Sequence, residues 1–165
     1  MNAKDTLMQF VPIVDSKLKE YWDKEINLNF GFNQKQKDLA KKMLTHSAEH
    51  NLRPAKRIRA AFVYYGYMLG KPIDENIWNA CMSVELIHTA LLMHDDFMDQ
   101  DLVRRGLPTT HKFFEEGDVH YGESMAVDVG DGVLELGHEL LLKSNFDSKL
   151  VLRSNQKLMR GIANT

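Results

Sequence analysis

Leu7, Val11, Val14, Leu18 and Trp22 recur at spacings of three and four residues, which predicts an amphipathic helix over 6–26. Pro12 forces either a late start or a kink in it. Asn27 to Asn33, with Gly31 inside, reads as a loop. The helical period returns through Leu39, Met43 and Ser47, giving a second helix over 34–49, and a turn at Asn51 to Pro54 leads into a third from about Arg57 to Leu69. Gly70-Lys71-Pro72 ends that one. From Trp78 to Asp99 there is neither Gly nor Pro, so a long fourth helix is predicted, with Asp74 as its cap. Residues 102–110 read as a loop broken by Gly106 and Pro108, and helical patterns resume over 125–142 and 149–161. Six or seven helices and no strand make an all-α chain, without repeats or linkers.

The last turn of the fourth helix carries the chemistry. Four aspartates fall between Asp95 and Asp101, followed by Arg104 and Arg105. Carboxylates this close repel by roughly 0.7 kcal/mol per pair at about 6 Å even in bulk water, so cations are expected among them. At about 100° and 1.5 Å per residue, His88, Leu92, Asp95 and Asp99 share one face, with Asp95 and Asp99 one turn apart. Magnesium suits such a pair, because it takes a few carboxylates and fills its shell with water and phosphate oxygens. Arg104 and Arg105 are the right groups to grip that phosphate through forked hydrogen bonds. A merely solvated acidic helix end is the duller reading, but acids there oppose the macrodipole.

The segment from Glu85 through Asp95-Asp96-Phe97-Met98-Asp99 to Arg104-Arg105-Gly106 and Pro108-Thr109-Thr110-His111 resembles the first aspartate-rich region of the trans-isoprenyl diphosphate (polyprenyl) synthases. Pro54-Ala55-Lys56-Arg57-Ile58-Arg59 is similar to that family's Gly-Gly-Lys-Arg-x-Arg-Pro motif, with the glycines and the proline replaced. Ser124 to Asp131 is similar to its Ala-x-x-x-Gly-Asp helix, with Asp128 where an apolar residue is usual. The resemblance implies an isoprenoid-synthase-type helical bundle, of which residues 1–165 are the N-terminal half. Members of the family are longer, and a second Asp-Asp-x-x-Asp completes their metal site; this sequence holds one copy.

The resemblance further implies condensation of an allylic diphosphate with isopentenyl diphosphate. Asp95 and Asp99 would hold Mg2+, with Asp96 in support, and Arg104 would clamp the allylic diphosphate. Lys56, Arg57, His88 and Arg105 would take the diphosphate of the second substrate. Taken without the resemblance, Lys56, Arg57 and Arg59 read as basic surface and His88 as a hydrogen-bonded core histidine. The other six histidines and the nine methionines read as structural. Leu91 and Ala90, where a bulky aromatic would stop elongation early, imply a geranylgeranyl or longer product. The isolated chain is expected to be inactive, and the full-length form to be a homodimer. A non-catalytic partner subunit that binds diphosphate or modulates a complete synthase is the alternative, and a terpene cyclase fits less well because it needs no second diphosphate site.

Composition narrows the setting. With 44% hydrophobic residues the chain can bury one core, and a net charge of -2 without a basic tail argues against nucleic acid. The N-terminal residues lack the pattern of a signal peptide and no apolar run is long enough for a membrane span, which points to the cytosol. Cys81 is the one cysteine, so no internal disulfide forms, and its apolar helical setting marks it as packing.

Overall fold

A computed structural model describes residues 2–28 and 31–164. Its helices are α1 (Ala3–Glu25), α2 (Gln34–Leu52), α3 (Ile58–Met68), α4 (Ile77–Met98), α5 (Thr110–Phe114), α6 (Val119–Leu142) and α7 (Ser148–Ile162). Between α4 and α5 lies a hairpin of two short strands, β1 (Val103–Arg104) and β2 (Leu107–Pro108). Part of the expected loop between α1 and α2 falls on residues 29 and 30, outside the described ones.

α4 is the axis of the molecule, packing most extensively against α6 and next against α3. Its buried Cys81, Leu86, Ala90 and Met93 meet Phe10, Val14, Leu18 and Trp22 of α1 and Val129 and Val133 of α6. Rings seal the lower end, with Tyr64 stacked on Trp78 at 4.9 Å and Phe10 tilted against Tyr64 at 5.1 Å. One buried amide bolts three helices together. The Trp22 indole donates to Asn51 Oδ1 at 2.9 Å, and Asn51 Nδ2 donates to Thr89 Oγ1 at 2.8 Å. That use of Asn51 explains why α2 runs past the residue 49 expected from periodicity.

Caps set the other boundaries. Asn33 and Gln36 form a reciprocal capping box at the start of α2. Asp118 accepts from the Tyr121 amide and starts α6 six residues before the expected Met125. Pro12 does not delay α1, which starts at Ala3 and contains it; the carbonyl that Pro12 cannot bond belongs to Met8, on an exposed face open to water. Asp74 acts before the cap: its carboxylate accepts from the Asn76 amide at 2.9 Å, and Asn76 is the capping residue.

The absence of strands expected from sequence is corrected by the hairpin. Val103 pairs with Pro108 and Arg104 with Leu107, leaving Arg105-Gly106 as a two-residue connection with φ of 54° and 82°. Two consecutive positive φ values match the twist of paired strands, so Gly106 here turns the chain back on itself. Among the described residues no helix is long and apolar enough to cross a membrane.

Candidate active site

The α4 face left uncovered by its neighbours runs through half-buried Val84, His88, Leu91 and Leu92 to exposed Asp95 and Asp99. The Asp95 and Asp99 side chains make no hydrogen bond or ion pair among the described residues, so two carboxylates one turn apart stand free at the rim. No three His, Cys, Asp or Glu side chains converge into a metal cage among the described residues. Two free carboxylates with room for water and phosphate oxygens fit magnesium, which seldom uses an all-protein shell.

Asp96, between them in sequence, faces the other way. It is wholly buried, and Oδ1 accepts from Arg104 Nε at 2.5 Å, with Arg104 Nη2 against the same oxygen. His50 Nε2 lies 3.7 Å from Oδ2, which has no hydrogen-bond partner. Burial opposes ionisation of Asp96, but His50 and Arg104 outweigh it and hold the carboxyl below the usual range. Asp96 therefore holds Arg104 in place and contributes no exposed oxygen to the rim.

Beside this face a cleft of about 100 Å3 is lined by Lys56, Arg57, Arg59, His88 and Arg105. The structure thus brings together the four residues expected to take the second diphosphate. Burial first, and then the guanidiniums of Arg59, Arg105, Arg104 and Arg57, push His88 down to about 4, so it is neutral and able to donate a hydrogen bond near neutrality. Arg105 is lowered by burial and by repulsion from Arg57 and Arg104. A partly buried guanidinium lowered by burial and by its cationic neighbours, in a cleft lined by Lys56, Arg57 and Arg59, marks a place where an anion is favoured.

The polyprenyl synthetase profile matches residues 41–164. The chain belongs to that family. It is 36% identical over 144 residues to the short chain isoprenyl diphosphate synthase of Methanocaldococcus jannaschii, covering 87% of this chain and 35% of that protein. It is 39% identical over 104 residues to the farnesyl diphosphate synthase of Geobacillus stearothermophilus, covering 61% of this chain and 31% of that one. The bundle superposes with a TM-score of 0.74 on the geranylgeranyl pyrophosphate synthase of Corynebacterium glutamicum, solved with isoprenyl diphosphate and magnesium; identity is 25%, over 90% of this chain and 44% of that one. The fold is the isoprenoid synthase helical bundle, and the chain spans about a third of the length of the curated relatives it matches.

In this chain the two arginines of the Lys-Arg-x-Arg motif do different things. Arg57 is 3% exposed, and its nitrogens bond Asp15 Oδ1 at 2.7 Å, Glu85 Oε2 at 3.3 Å and the Asn51 carbonyl at 2.8 Å. Glu85 Oε1 also accepts from the Ala60 amide at 3.0 Å, capping α3 where Arg57, at φ 48°, offers no side-chain cap. Arg57 lines the cleft while fastening α1, α2 and α4 at its base. Arg59, two residues on, is exposed and makes no hydrogen bond or ion pair among the described residues. It is the motif arginine open to a ligand; under the resemblance it reads as phosphate-binding together with Lys56 and Arg57, but it is not among the residues assigned to the second diphosphate.

The remaining groups are structural. His46 bonds Thr110 at 3.1 Å, His138 bonds Asn155 at 2.8 Å, and His111 is buried behind Thr109. Cys81 is fully buried, and burial and the nearby Glu85 push its thiol up to about 12, so it is no nucleophile.

Proposed function

We propose that residues 1–165 form the N-terminal half of a polyprenyl synthase domain, part of a prenyltransferase that condenses an allylic diphosphate with isopentenyl diphosphate into a longer trans-polyprenyl diphosphate. The observation that carries this reading is the pairing of two carboxylates on adjacent turns of one helix face, unpartnered among the described residues, with a cleft lined by Lys56, Arg57, Arg59 and Arg105. An anion bridged to divalent cations satisfies both at once.

Asp95 and Asp99 would hold Mg2+, which supplies charge neutralisation of the departing diphosphate. Arg104, fixed by Asp96, presents its remaining N–H groups to that diphosphate. Lys56, Arg59 and Arg105 grip the diphosphate of isopentenyl diphosphate, and neutral His88 donates to it without adding charge. Nothing in this arrangement requires a protein nucleophile. The alkyl chain would descend along the open strip from Leu92 and Leu91 toward Val84. Leu91 is half-buried on that strip, whereas Ala90 is fully buried in the core, so Leu91 is the residue of the two that meets the product. We place the product at geranylgeranyl or longer, and the full-length form as a cytosolic homodimer.

Turnover of labelled isopentenyl diphosphate with an allylic primer tests the reading in two arms. The 165-residue chain alone should give no measurable product while binding a prenyl diphosphate analogue in a magnesium-dependent manner. Extended by the later part of a relative's bundle, it should condense, and a product ending at farnesyl diphosphate would refute the chain-length assignment. Binding that persists equally without magnesium and after Asp95→Asn with Asp99→Asn would refute the site. A second reading is a non-catalytic subunit that binds diphosphate through the same cleft. That reading predicts no turnover in either arm and a changed product when the chain is mixed with a complete synthase.

A further inference from the structure

Segment 56–59 and Arg105 reach the cleft from separate parts of the fold, with Arg104 next to Arg105 in the hairpin, and Arg53 fastens them to one another. Arg53 closes α2 three residues before Lys56 and is 3% exposed. Its Nη1 donates to the Arg104 carbonyl at 2.9 Å and its Nη2 to the Pro108 carbonyl at 2.8 Å, one on each strand of the hairpin. Glu49 fixes the same guanidinium through a two-pronged pairing, Nε to Oε1 at 3.0 Å and Nη2 to Oε2 at 2.8 Å. In return the Arg53 carbonyl accepts from Arg105 Nη1 at 3.2 Å. The side chain of Arg53 thus holds the backbone of Arg104, and its backbone holds the side chain of Arg105.

A two-strand ribbon of this length has little stability of its own. Asp96 of α4 ties down the Arg104 side chain, but the strand backbones and the Arg105 side chain are fastened through Arg53, and the end of Arg105 would swing if the hairpin rocked. We propose that Arg53 is a positioning residue for the diphosphate site, clamping the β1–β2 hairpin so that Arg104 and Arg105 meet the ligand in one arrangement. This rests on the diphosphate reading above. Lysine cannot replace it, because a single ammonium cannot span two carbonyls and a carboxylate in one plane.

The test compares the wild-type chain with Arg53→Lys and with Ser83→Ala, which removes a buried bond to the Gly137 carbonyl between α4 and α6 and serves as a stability control. Binding of inorganic diphosphate with MgCl2, and of isopentenyl diphosphate, is read by calorimetry, and amide exchange over residues 103–109 by mass spectrometry. In Arg53→Lys both affinities should fall at least tenfold and hairpin exchange should quicken at least tenfold, with α1 and α6 unchanged. Ser83→Ala should lower the thermal midpoint and bind as wild type does. Wild-type affinity in Arg53→Lys, or a loss matched by Ser83→Ala, overturns the role of Arg53. A wild-type chain that binds neither ligand overturns the diphosphate reading itself. If Arg53→Lys does not fold, the wild type decides: in sub-denaturing urea the Arg53 Nε–H and the Thr109 amide should lose protection together, and independent loss overturns the proposal.

Discussion

Replacing Asp96 with Asn leaves the Arg104 guanidinium facing a neutral amide in a fully buried position, so unfolding free energy should fall by about 3 kcal/mol in urea denaturation. Asp95→Asn, one residue away, should change stability by less than about 0.5 kcal/mol and abolish magnesium-dependent diphosphate binding. The arginines of the basic motif should divide in the same way. Arg57→Met strands Glu85 and Asp15 and should cost about 3–5 kcal/mol, whereas Arg59→Met should leave stability within about 0.5 kcal/mol and weaken isopentenyl diphosphate binding about tenfold or more. These pairs are adjacent or nearly so in sequence, and a motif presents their members as equivalent. Helix phase separates the aspartates, since a step of about 100° turns Asp96 from the rim into the core, and Arg57 differs from Arg59 because it lies before α3 in a left-handed conformation. The sequence made the carboxylates and cations legible; it could not say which side chains already had partners, because Asp15 and Glu85 reach Arg57 from distant segments and Arg104 reaches Asp96 only once the hairpin has folded back.

At the scale of elements, α6 shows what its glycines are for. A Cβ at Gly122 would lie 2.3 Å from the His111 carbonyl and 2.9 Å from the Glu115 backbone, so Gly122→Ala must push α5 away and should lower stability by roughly 2 kcal/mol or more. Gly132 has nothing within 4 Å, and Gly132→Ala should raise stability by up to about 1 kcal/mol through helix propensity alone. Thermal midpoints of the two variants moving in opposite directions would check both. Helices were legible because apolar residues recur with the helical period over many turns, and their ends shifted where a cap such as Asp118 lay outside that pattern. The hairpin was not legible. Two residues per strand carry no alternation to read, and Gly106 and Pro108 signal a break equally well for a loop and for a tight reversal.

For the whole molecule, acid should be the sensitive direction. His46 is buried and held down to about 4 by burial and by the neighbouring His50, and His88 is held to about 4 by burial and the surrounding guanidiniums. Both bind protons more readily once unfolded, so the stability they contribute is complete above about pH 6.5 and is lost as pH falls toward 4. Calorimetric midpoints should decline across that interval, and His46→Gln should flatten the decline. The same packing that desolvates these rings also seals Cys81 within α4, with its thiol pushed up to about 12. At neutral pH the chain therefore has no readily alkylated sulfur, and Met98→Cys, at a position 68% exposed beside Asp99, would supply a single handle for a maleimide dye. Fluorescence from that one label would follow ligand arrival at the rim in real time, in a protein otherwise silent to such reagents.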